Sequence, residues 1–164
     1  MKHSGKLTIT TPGDREIAMA RVFDAPRTLV FDAYTQCRYL KRWLGVFDGW
    51  SLDSCEIDLS VGGNYRYVWK RAPSTEMGMG GTYREIVAGE RLVATEKFDE
   101  SWYEGNAVTT ATFVESAGRT TLTLTVQYAS KEARDGVLKS GMTGGVTASF
   151  DTLEEMLTSE RSTR

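Results

Sequence analysis

The chain has 164 residues, 40% hydrophobic and 26% charged, which suits one soluble globular domain with room for a true core. A net charge of −2 and a pI near 5.5 argue against nucleic acid as a main partner, because binding phosphates needs a basic surface. No apolar run reaches the roughly 18 residues of a membrane span, and Met1 to Thr11 is polar, with no signal-peptide core.

The 1–14 segment ends in Pro12-Gly13-Asp14 and reads as a flexible lead to a single domain over 15–160. Glu16 to Phe23 sets Ile17, Met19, Arg21 and Phe23 against Ala18, Ala20 and Val22, the period-2 alternation of a strand. Asp24-Ala25-Pro26 then changes the period. Proline suits a first helical turn, and Leu29, Val30, Ala33 and Tyr34 follow at helical spacing. A second short helix, about 38–44, carries Tyr39, Leu40, Trp43 and Leu44, and Gly45 is placed to stop it.

From Val46 the chain is strand and turn. Ser51 to Leu59, Asn64 to Lys70, Met77 to Val87 and Arg91 to Phe98 read as strands, with Gly80-Gly81 allowing a bulge or a close approach. A looser acidic loop over 99–105 contains Trp102 and Tyr103. Ala107 to Glu115 and Thr120 to Tyr128 form a threonine-rich hairpin. In its second strand Leu122, Leu124, Val126 and Tyr128 share one face and the threonines the other.

Ser130 to Leu157 reads as one amphipathic helix, with Ser130 as N-cap and Leu138, Met142, Val146, Phe150, Leu153 and Leu157 on one face. At about 1.5 Å per residue it would run roughly 40 Å. Gly141, Gly144 and Gly145 interrupt it, each costing about 1 kcal/mol relative to alanine in a helix. The plainer explanation is close approach of a sheet to the helix; the sharper one is space for a guest. Consecutive strands with short turns are antiparallel neighbours, so the fold class is α+β: a curved antiparallel sheet covered by the C-terminal helix.

Cys37 and Cys55 are 18 apart with no CxxC pattern, which argues against a disulfide framework and a zinc site and fits a reducing cytoplasm. Cys55 reads as an unreactive strand residue. The one histidine, His3, lies in the polar terminus, which removes Ser–His and Cys–His nucleophile pairs and most transition-metal sites. No cofactor is implied. Glu85 and Arg91 flank the 88–90 turn as a structural pair. Arg21 and Glu96 sit among apolar residues on their strands. On the plainer reading each reaches solvent at a strand end; on the sharper one both are buried and pair with each other or with a guest.

The chain resembles the START-like (SRPBCC) superfamily and its helix-grip fold over about 7–160. Within it, the chain looks most like the family related to the activator of the heat shock protein 90 ATPase. The resemblance rests on Phe23-Asp24-Ala25-Pro26 with Val30-Phe31, Arg42-Trp43 and Gly62-Gly63-Asn64-Tyr65-Arg66. It continues through Gly81-Thr82-Tyr83-Arg84-Glu85-Ile86-Val87 with Glu90-Arg91-Leu92-Val93, Arg119 to Leu124, Gly141 to Gly145 and Leu153 to Leu157.

That resemblance implies a cavity between the concave sheet face and the long helix. Trp43 and Phe47 would stand at its mouth, with Tyr65, Tyr67, Trp69 and Tyr83 on one side of the sheet. Glu96, Phe98 and Phe113 would follow, with Met142, Val146 and Phe150 from the helix. Packing of these residues as plain core is the competing reading, and which face of Tyr65, Tyr67 and Trp69 points inward stays open. At roughly 300–1,000 Å³ such a pocket would take a hydrophobic or aromatic small molecule. The superfamily also contains co-chaperones and cyclases, so a chaperone-activating interaction module and an acid–base enzyme using Glu96, Arg21 and Tyr65 or Tyr83 are the alternatives. The eukaryotic activator carries a further N-terminal domain with no counterpart here. An exposed sheet edge offers a route to a homodimer.

Overall fold

Alternation builds the sheet. The computed structural model describes residues 6–100 and 105–162, the last without its side chain. His3, Trp102 and Tyr103 lie outside the described residues. Eight strands follow in the spatial order β1-β2-β8-β7-β6-β5-β4-β3, every pair antiparallel, as one curved, unclosed sheet. They are β1 (Thr8–Thr10), β2 (Glu16–Phe23), β3 (Trp50–Ile57), β4 (Asn64–Arg71), β5 (Thr75–Val87), β6 (Arg91–Phe98), β7 (Ala107–Ser116) and β8 (Arg119–Gln127). Two helices, α1 (Arg27–Thr35) and α2 (Cys37–Trp43), lie between β2 and β3, and α3 (Lys131–Lys139) and α4 (Met142–Ser162) follow β8. This is the expected helix-grip α+β architecture, with one short strand, β1, inside the segment read as a lead.

The inward face carries Ile17, Met19, Arg21 and Phe23 from β2, Tyr65, Tyr67 and Trp69 from β4, Leu92 and Ala94 from β6, and Leu122 and Val126 from β8, all buried. The open question about β4 is thereby answered: both tyrosines and Trp69 face the core. Against this face lie Leu29, Val30 and Phe31 of α1, Leu40 and Trp43 of α2, and Phe150, Leu153, Met156 and Leu157 of α4. Phe150 meets Phe23 edge-on at 5.8 Å and Trp43 at 6.1 Å, so the aromatic centre of the core joins β2, α2 and α4.

The C-terminal region is two helices, not one. Ser130 caps α3 as expected, its hydroxyl accepting from the Ala133 N–H at 3.1 Å. The chain then turns at Gly141, whose φ of +82° is left-handed and costs an L side chain energy that glycine avoids. The other two glycines have different roles. Gly145 leaves room for the Phe47 ring, which lies 3.1 Å from where a Cβ would stand, while nothing approaches the same point on Gly144. The sheet touches neither.

Cys37 and Cys55 form a disulfide, with S–S 2.16 Å and Cα–Cα 5.7 Å. This overturns the expectation from their spacing and removes the cysteine argument for a reducing compartment. The reason is tertiary: the first residue of α2 is laid over the inward side of edge strand β3, within bridging reach of Cys55.

Arg21 and Glu96 correct the expectation in two ways. Neither lies at a solvent-exposed strand end, and they do not pair. Arg21 is 2% exposed, and its Nη1 donates to Asp151 Oδ1 of α4 at 2.7 Å, with Glu154 Oε1 3.5 Å from Nη2. The Arg91–Glu85 pair is present as read, at 2.8 Å.

Candidate functional site

The β5–β6 ladder opens in the middle, and that opening shapes the site. Gly80 pairs with Lys97 and Tyr83 with Ala94, but Gly81 and Thr82 have no partners in register. Thr95 is held by other means: its carbonyl accepts from the Tyr65 hydroxyl at 2.7 Å, and its hydroxyl accepts from the Thr82 N–H at 2.9 Å. A Cβ on Gly81 would collide with the Thr95 carbonyl and the Tyr65 ring, so glycine is needed there for close approach. Glu96, the next residue, is thereby presented on the concave face.

A cavity of about 50 Å³ lies over this point. Tyr65 and Tyr67 of β4 wall it on one side, with Met79 and Tyr83 of β5. Leu92, Ala94 and Glu96 of β6 form its floor with Thr109 and Ala111 of β7, and Tyr34 reaches it from α1. The space is smaller than the expected 300–1,000 Å³. It is also displaced: α1, not α4, supplies its helical wall.

Of the residues read as inward, Tyr65, Tyr67, Tyr83 and Glu96 meet at this cavity. The others pack around it. Trp43 is fully buried, far from being a mouth residue, and donates from Nε1 to the Ala33 carbonyl at 2.8 Å. Trp69 donates to the Leu44 carbonyl at 2.9 Å. Phe113 stacks edge-on with Phe31 at 5.2 Å and Tyr34 at 6.0 Å, and Phe150 joins the aromatic centre. Phe47 rests on Gly145; Phe98, Met142 and Val146 pack on the core's margins. Tyr34, Met79, Leu92, Ala94, Thr109 and Ala111 were not read as site residues. One signal for them exists in the sequence. Ala94 and Thr109 are register partners, as are Leu92 and Ala111, so small side chains on neighbouring inward positions face a cluster of tyrosines and leave space.

Burial dominates the electrostatics. It raises the Glu96 carboxyl to about 7, with a weak hydrogen bond from Thr109, at 3.5 Å, pulling the other way. Tyr83 is pushed up to about 12 by the same burial, and Tyr34 and Tyr67 are raised as well, by desolvation first, with the charge of Glu96 next for Tyr34 and the neighbouring tyrosines ahead of Glu96 for Tyr67. The phenols therefore remain protonated donors, and Glu96 can hold or release a proton near neutrality. Among the described residues, the hydroxyls of Tyr34, Tyr67 and Tyr83 make no hydrogen bond, whereas that of Tyr65 is committed to Thr95. Arg21, tied to α4, takes no part. Among the described residues no cluster of three or more His, Cys, Asp or Glu is arranged to hold a metal, and no helix is long and apolar enough to cross a membrane.

The model of the Activator of Hsp90 ATPase homolog 1-like proteins matches residues 24–158, from the residue after β2 to the last turns of α4. The chain belongs to this family. Solved structures share its fold at full length. A protein from Rhodobacter sphaeroides is 27% identical, with a TM-score of 0.89 over 94% of this chain and 99% of its own. Protein Ms6760 from Mycobacterium smegmatis is 19% identical, with a TM-score of 0.81 over 93% and 97%. CalU16 from Micromonospora echinospora, 18% identical, gives 0.62 over 99% and 90%. No curated protein matches the chain. Family membership fixes the frame; the contents of the cavity must be argued from its own groups.

Proposed function

We propose that this family member is a small-molecule binding protein whose guest sits in the tyrosine-lined cavity. One observation carries the reading: the free hydroxyls of Tyr34, Tyr67 and Tyr83 and the Glu96 carboxyl converge on one partly open hollow. These hydroxyls and the carboxyl are open to a guest, and one with a small apolar body and a polar head would hydrogen-bond to them while contacting Met79 and Leu92. The size favours a compact molecule over a lipid. Trp43, Trp69, Phe113 and Phe150 act on this reading as the rigid frame behind the walls.

The test is an amide NMR titration of the intact chain with a library of compact polar and aromatic compounds, beside native mass spectrometry of freshly purified protein. Saturable shifts centred on Tyr34, Tyr67, Tyr83 and Glu96 are expected. A library that moves no resonance, with a bare native mass, overturns the reading. The family description supports a second reading, a module that stimulates a chaperone ATPase. It predicts faster turnover of the cognate chaperone at saturating protein, and unchanged turnover removes it.

A further inference from the structure

Deepening the cavity reading and resting on it, we propose that the guest is a compact organic cation, a protonated amine or quaternary ammonium, with Glu96 as its counter-charge and tyrosine faces as its walls. The first ground is charge. Glu96 is the one acidic group on the cavity, no lysine or arginine lines it, and Thr109 at 3.5 Å is its one side-chain hydrogen bond among the described residues. The groups facing it are Tyr34 from α1, Tyr67 from β4, Tyr83 from β5 and Thr109 from β7, none of them cationic. A carboxylate desolvated without a cation is costly, and a positive guest relieves that cost where a neutral one does not. An anionic guest would meet no positive group.

The second ground is the shape of the walls. The Tyr65 ring centroid lies 5.1 Å from that of Tyr67 and 5.4 Å from that of Tyr83, and the ring planes are canted by 43° and 44°. Canted rings make a hollow rather than a flat stack, and Tyr34 adds a fourth ring from above. Aromatic faces attract ammonium groups through the ring quadrupole, more strongly when water is excluded. Size is the third ground. A cavity of about 50 Å³ has room for a few water-sized centres, which suits a methylated ammonium head rather than a polycyclic or acyl guest.

The experiment compares choline and tetramethylammonium with 3,3-dimethylbutan-1-ol, the uncharged carbon isostere of choline, by amide NMR titration of the intact chain. At about pH 8 choline is expected to bind at least about tenfold tighter than the isostere. Its affinity should fall by about tenfold per pH unit below about 7, because Glu96 must give up its proton to act as counter-charge. Glu96→Gln should cost about tenfold or more and flatten that pH dependence. Equal or tighter binding of the isostere, or an unchanged choline affinity in Glu96→Gln, overturns the proposal. If neutral compounds shift the cavity resonances and neither cation does, the cation fails and the cavity reading stands. If nothing binds, both fall.

Discussion

Arg21 of β2 and Asp151 of α4 meet at 2.7 Å where the C-terminal helix lies on the sheet, with Glu154 one helical turn further on at 3.5 Å. Arg21 and Glu154 are both buried, at 2% and 5% exposure. Arg21→Met takes a charge-assisted hydrogen bond from Asp151 and a nearby positive charge from the buried Glu154 carboxylate. Arg21→Met is expected to lower stability in urea by about 3–5 kcal/mol. A loss under about 1 kcal/mol would mean that the cluster only breaks even against an apolar contact.

Glu96 makes a pH-dependent contribution of the opposite kind. Its folded-state pKa of about 7 lies above the ordinary 4.5, so the folded protein binds a proton that the unfolded chain has released between those values. Stability from this group is therefore full below about 4.5, falls as pH rises, and levels off above about 7. The span corresponds to about 3 kcal/mol at 1.36 kcal/mol per unit. Glu96→Gln should accordingly raise the melting temperature at about pH 8 and leave it nearly unchanged at about pH 4. An equal shift at both pH values would show that the carboxyl is not desolvated.

The Cys37–Cys55 bond closes a loop of 18 residues between α2 and β3. By chain entropy a loop of that length stabilises the fold by about 3 kcal/mol, and the double variant Cys37→Ser/Cys55→Ser should lose about that much. Alkylation under native conditions should label neither cysteine until a reductant is added. Ready labelling of both in untreated protein would contradict the bond.

The strands were legible because a half-buried sheet repeats every two residues, and that signal is local. Glu16–Phe23 and Arg91–Phe98 needed nothing further. The departures depend on distance through space. Gly141 in a left-handed turn looks, as a letter, like a helical glycine, so the break between α3 and α4 was hidden. The disulfide required knowing that α2 folds back on an edge strand and brings Cys37 to Cys55, 18 residues away in sequence. The cavity was half legible. The resemblance placed Tyr65, Tyr67, Tyr83 and Glu96 among the lining candidates, with the inward face of β4 left open, and facing inward does not by itself separate a wall from a core residue. What separates Tyr67 from Phe113 is the small residues opposite, Ala94, Thr109 and Ala111, together with the crossing of α1 that brings Tyr34 down. The former can be read from strand register; the latter cannot.

Two glycines offer a paired test of that distinction between close approach and open space. At Gly81 a Cβ would strike the Thr95 carbonyl, which is backbone and cannot step aside, and the ring of Tyr65, which is fixed by its own hydrogen bond to the same carbonyl. Gly81→Ala should therefore destabilise the fold by several kcal/mol, on the scale of overpacking at about 1–3 kcal/mol plus the lost Tyr65 bond at about 1 kcal/mol. At Gly144, near the start of α4, no atom lies within 4 Å of the corresponding point. Gly144→Ala should raise stability by up to about 1 kcal/mol, since alanine is the better helix former and meets no obstacle. Chemical denaturation of the two variants decides the matter. A neutral Gly81→Ala would mean that β5 and β6 can separate without disturbing Tyr65, and the opening beneath Glu96 would then be a loose feature rather than a built one.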